Sequence, residues 1–343
     1  MDEVTMPRVS ICIPTYNASR TIGATLESVL AQTYPNLVIN VVDNNSSDDT
    51  VVVVQGYEDS RITLHRNPVN LGGEGNFNRC IELATGKYTA IYHADDIYEP
   101  DMVASQVEFL EKHPDASAVF TEASLIDEDG KLIGEIRQPE QVAKAGPLHA
   151  FPEIFKAVLE HSNFLICPSV MAHTAVYQND IKFWRGEMFG SSADLDVWLR
   201  MAVRGPIGIL ARKTMRYRIS SHQYSAQIRL NVERAPFFKV TDHYLAQENV
   251  KKMLTRRDRM NYARLERRDR VMRATNALIA EQPDSAKALC PSMMSFDAVR
   301  AALSTRRGAA VFALSVFIKV TMTLGLHEWG RGVLLRVKRM AKR

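Results

Sequence analysis

The chain has 343 residues, of which 46% are hydrophobic and 24% are charged, and its formal net charge is +4. These values are ordinary for a soluble globular protein, and a chain of this length can bury a large core without disulfides or structural metals. The four cysteines stand far apart with no C-x-x-C pair, which predicts reduced thiols in a cytosolic protein, and the N terminus lacks the basic and apolar regions of a secretory signal.

The first hundred residues alternate between short apolar runs and segments with helical periodicity. Strands are predicted at residues 9–14, 37–42, 62–65 and from Tyr88, and helices at 21–32, 51–57 and 76–84. Residues 70–75, which contain three glycines, are predicted to be a flexible loop. Strand–helix alternation of this kind predicts an α/β fold with a mostly parallel sheet and helices on both faces.

Polar residues follow three of these strands: Thr15-Tyr16, Asp43-Asn44 and Asp95-Asp96. The carboxyl ends of parallel strands are where open α/β sheets bind ligands, so a nucleotide is expected there. No G-x-G-x-x-G and no P-loop motif is present to meet its phosphates. Two adjacent carboxylates repel each other unless a cation lies beside them, which favours Mg²⁺ or Mn²⁺ on a diphosphate. The alternative is a polar turn after a strand.

Four motifs in this order and spacing carry a family resemblance. They are residues 14–17, residues 43–50, Asn70-Leu71-Gly72, and residues 84–88 running into His93-Ala94-Asp95-Asp96. The set resembles the family 2 glycosyltransferases of the GT-A fold over about residues 7–230. The resemblance implies a mixed, mostly parallel sheet, an inverting transfer reaction and a nucleotide-diphosphate-sugar donor, with a UDP- or dTDP-sugar favoured.

The same resemblance implies roles for individual residues. Asp96 would hold the Mn²⁺ or Mg²⁺ ion, and His222 would approach the metal or the diphosphate, although a lone histidine in a loop is equally often a surface residue. The nucleotide-sugar contacts would come from Pro14, Thr15, Tyr16, Asn17, Asp43, Asn44, Gly72, Asp95 and Arg218.

Asn44 is a departure from the family pattern, because many members carry a second acid at this position. That acid can accept a hydrogen bond from the imide of uracil or thymine. The Asn44 amide can also accept this bond, but it adds a donor. The departure therefore leaves the preferred base open.

The middle of the chain continues the family pattern. Helices are predicted at residues 101–112 and 151–160, strands at 118–121 and 163–173, a hairpin turn at 127–131 and a loop at 138–147. Residues 167–170 are interpreted as packing residues.

Residues 191–200 are predicted to begin a helix with acids in its first turn. Asp194 there is explained either by the helix dipole or, by the resemblance, as the catalytic base, with Asp196 structural. Loss of the acceptor proton to Asp194 and stabilisation of the leaving diphosphate by a cation would together give a single inverting displacement. No carboxylate nucleophile is needed, unlike in retaining hydrolysis.

The C-terminal part lies outside the resemblance and is strongly basic. One or two long helices are predicted at residues 236–281, with a break at 283–291 and an apolar segment at 309–326 before a basic tail. An apolar helix with a basic tail favours lying in an anionic membrane interface, and a core helix packed on the catalytic domain is the alternative. The basic helices are alternatively solvated surfaces.

These observations predict three regions: a glycosyltransferase domain at 1–235, a basic helical region at 236–304 and a membrane-associating segment at 305–343. The first has a nucleotide-sugar half at about 7–100 and an acceptor half at about 101–235. We expect a cytoplasmic protein, peripheral on the inner face of the membrane, that glycosylates a lipid-linked or oligosaccharide acceptor for cell-surface polysaccharide or glycoconjugate synthesis. The competing hypothesis is a nucleic-acid-binding protein on a reused scaffold, although no motif for reading nucleic acid is apparent. The sugar, the acceptor and homo-oligomerisation stay open.

Overall fold

The computed structural model describes residues 6–220, 232–290, 293, 299–300, 303 and 305–340. The chain divides into two compact units, Met1–Ser220 and Ser221–Arg343. Each unit has a hydrophobic core of its own. The proposed boundaries at residues 235 and 304 stay predictions.

The first unit is built on one mixed sheet with helices. Its strands are β1 (Val9–Thr15), β2 (Leu37–Asp43), β3 (Ile62–Arg66), β4 (Tyr88–Ile91), β5 (Ile97–Tyr98), β6 (Ala118–Ile126), β7 (Leu132–Ile136), β8 (Leu148–His149), β9 (Met171–His173) and β10 (Ile207–Arg218). Its α-helices are α1 (Ile22–Leu30), α2 (Thr50–Gln55), α3 (Gly72–Leu83), α4 (Met102–Lys112), α5 (Glu140–Lys144), α6 (Phe151–His161), α7 (Gly186–Phe189) and α8 (Ala193–Arg204). Short 3₁₀ helices lie at Cys167–Ser169 and Gly190–Ser192, and a π-helix lies at Val176–Ile181.

The strand order is β3-β2-β1-β4-β9-β6-β10-β5, with β7 paired to β6 and β8 paired to β10. β1 runs parallel to both β2 and β4, β2 runs parallel to β3, and β6 runs parallel to β10. The antiparallel pairs involve the shorter strands β5, β7, β8 and β9. The predicted mixed, mostly parallel α/β sheet is confirmed.

The core of this unit fixes the strand ends that carry the polar motifs. Ile11 and Ile13 on β1, Leu26 on α1 and Met102 on α4 are completely buried in it. Each such side chain contributes roughly 1.5–3 kcal/mol by leaving water. Because β1, β2 and β4 are parallel neighbours, the three predicted polar motifs follow strands that end at the same edge of the sheet.

Two local predictions in this unit are wrong. Residues 163–173 are not one strand, since only Met171–His173 pairs in the sheet and Cys167–Ser169 forms a 3₁₀ helix. Pro168 in that turn has no N–H to donate to a ladder, which explains the break. The predicted loop at 138–147 contains α5, which begins directly after Pro139.

The glycine-rich segment at residues 70–75 is also more ordered than predicted, because α3 begins at Gly72. Asn44 Oδ1 accepts the Leu71 N–H at 2.9 Å, and Asn70 Oδ1 accepts the Gly72 N–H at 2.8 Å. These side chains satisfy N–H groups that a helix start leaves without partners. Gly72 itself has φ +75°, a conformation that glycine adopts without strain.

The second unit is helical, as predicted. Its helices are α9 (Pro236–Leu245), α10 (Glu248–Met253), α11 (Arg256–Ile279), α12 (Pro283–Leu289), α13 (Arg306–Thr323) and α14 (His327–Met340). The predicted break at 283–291 is therefore wrong over α12, which starts at a proline, a residue favoured at the first helical position. Thr255 and Asp258 cap α11 reciprocally.

The core of the second unit joins four of its helices. Leu278 on α11, Ala286 on α12, Ile318 on α13 and Leu334 on α14 are buried together in it. The apolar segment at 309–326 is thus a core helix along one face. Among the helices of the described residues, none is both long enough and apolar enough to cross a membrane.

Candidate active site

The acidic turn after β4 is held in place by two stacked tyrosines. The Tyr92 N–H donates to the Cys12 carbonyl at 2.9 Å, which extends the pairing of β4 with β1. The rings of Tyr92 and Tyr98 stack with their centroids 3.8 Å apart. The Tyr98 hydroxyl accepts the His93 N–H at 2.7 Å. The buried side chains of Tyr92 and Tyr98 therefore fix the position of the turn that carries Asp95 and Asp96.

Asp96 is completely buried, and only one of its carboxylate oxygens has a hydrogen bond within the described residues. Oδ1 accepts the Arg218 N–H at 2.8 Å, whereas Oδ2 has no hydrogen-bond partner there. Burial raises the pKa of Asp96 well above its usual value, and the neighbouring Asp95 raises it further. A buried carboxylate with an unsatisfied oxygen is the arrangement expected where a cation supplies the missing charge.

The donor set around Asp96 fits a divalent cation. His93, Asp95 and Asp96 each offer one ligand atom, and these three atoms lie within 4.8 Å of one another. His93 Nδ1 lies 3.8 Å from Asp96 Oδ2. Carboxylate oxygens are the ligands that Mg²⁺ and Mn²⁺ favour. The predicted Asp95-Asp96 pair therefore lies in a suitable cluster, and His93 joins it.

Arg218, at the end of β10, ties the acidic turn to the strand that precedes residues 221–231. Its Nε donates to the Asp95 carbonyl at 2.9 Å, and its Nη1 donates to the carbonyls of Asp127 and Glu128 at 3.0 and 2.9 Å. The observed contacts of this buried guanidinium thus position the backbone around the acids. Direct binding of a nucleotide sugar by Arg218 stays a prediction, and His222 lies outside the described residues.

The loops after β1 and β2 are linked to each other. The Asn17 N–H donates to Ser46 Oγ at 2.9 Å, and Asn17 Oδ1 accepts the Ser47 N–H at 2.9 Å. At the end of β2, the buried Asp43 carboxylate accepts the Ser46 N–H at 3.2 Å, while Tyr16, directly after β1, is half exposed. The predicted base-side residues Tyr16 and Asp43 therefore lie where the linked loops leave β1 and β2, and Pro14 and Thr15 are the last two residues of β1.

The Asn44 side chain accepts two hydrogen bonds and donates two within the protein. Its Oδ1 accepts from the Leu71 N–H at 2.9 Å and from Asn67 Nδ2 at 3.1 Å. Its Nδ2 donates to Asn70 Oδ1 at 2.8 Å and to the Gly72 carbonyl at 3.0 Å. The observed role of this side chain is therefore to hold the start of α3. A direct contact of Asn44 with a base stays a prediction.

Asp194, in the first turn of α8, is partly buried. It accepts the Leu195 N–H at 2.7 Å and a hydrogen bond from Asn163 Nδ2 at 3.2 Å. Burial raises the pKa of Asp194 to about 6, against the lowering effect of these two donors. Its neighbour Asp196 is different, because it is fully buried and paired with Arg185 and Arg200.

Two partly buried side chains, Tyr217 and Cys167, lie within electrostatic reach of both Asp96 and Asp194. Burial raises the pKa of the Tyr217 phenol, and the charges of Asp96, Asp95 and Asp194 raise it further. Burial likewise raises the pKa of the Cys167 thiol, and the charges of Asp194 and Asp96 raise it further. Tyr217 and Cys167 are thus each within electrostatic reach of both the predicted metal side and the predicted base side of one proposed site. Cys167, interpreted from the sequence as a packing residue, borders this site.

An aromatic wall adjoins the acids. Phe77 on α3 stacks on Trp184 at 4.4 Å between centroids, and it meets the His93 ring edge-on at 5.9 Å. Trp184 in turn meets Trp198 of α8 edge-on at 5.6 Å. Phe77 and Trp184 belong to no sequence motif, so their position at the site could not be predicted. His93 stands in the acidic motif, but the sequence predicted no role for it.

Comparison with known proteins bears on this geometry. The family model described as Glycosyl transferase family 2 matches residues 10–178. WfaP of Escherichia coli, named UDP-Glc:alpha-D-GlcNAc-diphosphoundecaprenol beta-1,3-glucosyltransferase, is 31% identical over 212 residues, which cover 61% of this chain and 74% of WfaP. WfgD of Escherichia coli, with the same activity in its name, is 34% identical over 134 residues, which cover 39% of this chain and 52% of WfgD.

A solved structure shares the fold of this chain. The crystal structure of residues 1–349 of S. aureus TarS in complex with UDP-GlcNAc matches with a TM-score of 0.60 at 14% identity, covering 93% of this chain and 92% of that chain. At this level of identity, the likeness concerns the fold alone. The family model and the extent of the match to WfaP show that the chain belongs to glycosyltransferase family 2.

Proposed function

We propose that the protein transfers a sugar, with inversion, from a nucleotide-diphosphate donor to a hydroxyl of a polyprenyl-linked glycan. The observation that carries this proposal is the presence of two acids of different character, both within electrostatic reach of the Tyr217 and Cys167 side chains. Asp96 is buried with an unsatisfied oxygen, and Asp194 has a pKa of about 6. Groups whose environments set them apart in this way are typical of an active site.

The donor side would be the strand-end edge. Tyr16, Asn17 and Asp43 would meet the base and ribose of a UDP- or dTDP-sugar, and Asp95 would lie toward the ribose. Asp96, with Asp95 beside it, would hold Mn²⁺ or Mg²⁺. When bound, such a cation neutralises charge on the departing nucleoside diphosphate.

Asp194 would act as the general base. With a pKa of about 6, most of this carboxyl is ionised at neutral pH, yet it binds a proton more tightly than an ordinary aspartate. Asn163 and the Leu195 N–H hold the carboxylate in one orientation. Deprotonation of the acceptor hydroxyl at Asp194 and attack opposite the leaving group give inversion in one displacement.

The nature of the acceptor is suggested by the relatives. The names of WfaP and WfgD specify a GlcNAc-diphosphoundecaprenol acceptor. A polyprenyl-linked acceptor cannot leave the bilayer, so we also propose peripheral binding at the cytoplasmic leaflet, in the synthesis of a cell-surface polysaccharide or glycoconjugate.

The surface proposed for membrane binding is narrower than the apolar segment expected from sequence. Val311, Leu314 and Phe317 are partly buried against the core of the second unit, and Met322 is buried in it, so these side chains offer less apolar surface than expected. Val320, Leu324 and Leu326 of the expected segment are exposed around the junction of α13 and α14, and the exposed Trp329 extends this surface. Exposed Arg336 and Lys338 on α14 supply positive charge for anionic head groups.

A transfer assay tests the proposed function. The full chain is incubated with Mn²⁺, a panel of radiolabelled UDP- and dTDP-sugars and a polyprenyl-diphosphate-linked N-acetylglucosamine, and lipid products are extracted. We expect one donor to label the lipid fraction in the wild type and none to do so in Asp194→Asn. Label released only as free sugar, or equal label in the variant, would contradict the proposal.

A further inference from the structure

His93 is held at the acidic turn in a defined orientation. Its backbone N–H donates to the Tyr98 hydroxyl at 2.7 Å, and the Phe77 ring meets its imidazole edge-on at 5.9 Å between centroids. The side chain retains 27% of its accessible surface. It is therefore a partly shielded imidazole whose position is set by the core and by α3.

Within the described residues, one ring nitrogen of His93 has no hydrogen-bond partner, and the other lies opposite a carboxylate. Nε2 is buried and has no hydrogen-bond partner among the described residues. Nδ1 lies 3.8 Å from Asp96 Oδ2, which is beyond hydrogen-bonding distance, and Oδ2 is itself buried without a hydrogen-bond partner in the part of the chain described. The His93 imidazole and the Asp96 carboxylate thus lie opposite each other but too far apart to form a hydrogen bond.

The width of the gap suits an ion between the two side chains. Ligand atoms about 2.0–2.2 Å from one cation lie roughly 3 to 4.4 Å from each other. The 3.8 Å separation falls in this range, and the Asp95 carboxylate completes a set of three atoms within 4.8 Å. Within the described residues, Asp96 Oδ2 is buried without a hydrogen-bond partner, which also favours a cation at this position.

We propose that His93 is a nitrogen ligand of the divalent cation and biases this site against Mg²⁺ toward Mn²⁺ and later first-row ions. Mg²⁺ is a hard ion that favours an all-oxygen set, whereas imidazole nitrogen binds transition metals more strongly. This inference rests on the cation assignment in the proposed function and adds the ligand type and metal selectivity.

Pulsed electron paramagnetic resonance of Mn²⁺ tests the inference directly, because it detects ¹⁴N bound to the ion. The full chain is loaded with Mn²⁺ and UDP, and His222→Ala is compared with the double variant His93→Gln/His222→Ala. We expect nitrogen coupling in the wild type and in His222→Ala, and none in the double variant. In a separate binding titration, His93→Asp should shift the Mn²⁺-to-Mg²⁺ affinity ratio toward Mg²⁺ by at least about tenfold.

The outcomes separate this inference from the proposed function. Mn²⁺ bound without nitrogen coupling in His222→Ala, or with coupling retained in the double variant, would overturn the role of His93 and leave the cation site standing. Absence of Mn²⁺ binding to the wild type with UDP would overturn both. If circular dichroism shows the double variant unfolded, the coupling in His222→Ala and the affinity ratio of His93→Asp decide.

Discussion

Replacing Asp194 with asparagine should remove the proposed base while keeping the start of α8. The amide oxygen can still accept the Leu195 N–H, now at 2.7 Å from Asp194 Oδ1. The bond from Asn163 Nδ2 would be lost or would require a flipped amide, at a cost of about 1 kcal/mol. The perturbation is therefore chiefly chemical.

The size of the effect follows from the role of the group. Loss of a positioned general base lowers rates by roughly 10²–10⁴-fold, which corresponds to about 3–5 kcal/mol of transition-state stabilisation. Because the pKa of Asp194 is about 6, kcat/KM of the wild type should fall about tenfold for each pH unit below 6. The variant should lack this limb of the pH profile.

The free energy of unfolding should change with pH in the opposite direction to kcat/KM. The pKa of Asp194 is raised from 3.8 to about 6, so the folded state binds its proton more tightly than the unfolded state does. Its stabilising contribution is present below about pH 4 and is lost as the pH rises through 6, by roughly 2–3 kcal/mol at most. The uncharged asparagine avoids this loss, so the Tm of Asp194→Asn at pH 7.5 should equal or exceed that of the wild type.

The assay combines initial transfer rates between pH 5 and 8, donor affinity by calorimetry and thermal unfolding. We expect a large loss of kcat, unchanged donor affinity and an unchanged or higher Tm. A variant that loses donor affinity but turns over bound donor normally would show that Asp194 is structural, and a retained acidic limb would assign the pKa to another group.

Three further predictions concern other parts of the molecule. Asp96→Ala should abolish transfer and reduce UDP affinity in Mn²⁺ to the value measured in EDTA, because the cation loses its buried carboxylate. Asn44→Asp should raise the donor KM about tenfold with a smaller change in kcat, since a carboxylate cannot donate to Asn70 Oδ1 and the Gly72 carbonyl. Serine at Leu324, Leu326 and Trp329 together should weaken sedimentation with anionic liposomes at least about tenfold, with donor binding unchanged.

Two of these predictions have a matched control variant. Asn45→Asp adds the same charge at an exposed neighbour and should leave the donor KM unchanged. Val203→Ser removes an exposed apolar side chain from the first unit and should not alter liposome binding. Wild-type sedimentation should also weaken as salt screens the lipid charge. Full transfer in EDTA, an unaltered KM for Asn44→Asp, or sedimentation unaffected by the three serines would contradict the respective assignment.

The sheet edge could be predicted because the residue patterns of strands and helices are local and alternate regularly along this part of the chain. Apolar runs ending at Thr15, Asp43 and the Asp95-Asp96 pair are sufficient to place three polar groups on one edge of a parallel sheet. The family resemblance added Asp194, which is far from Asp96 along the sequence. In the fold, the Tyr217 side chain lies within electrostatic reach of both acids.

The parts that could not be predicted depend on tertiary contacts. The sequence predicts that Asn44 contacts the nucleotide. In the fold, however, its four hydrogen bonds are made to residues 67–72, far along the chain. Phe77 and Trp184 stack only because α3 and residues 182–185 meet next to the acidic turn. The apolar run at 309–326 has a period suited to either a core or an interface, and only packing of Ile318 in the second unit shows that one face is core.

The central claim is an inverting sugar transfer, and the anomeric configuration of the product tests it most directly. With an α-linked UDP-sugar donor and a polyprenyl-diphosphate-linked acceptor, proton NMR of the isolated first product should show a β linkage, with one UDP released per bond formed. An α-linked product would contradict the single displacement with Asp194 as base.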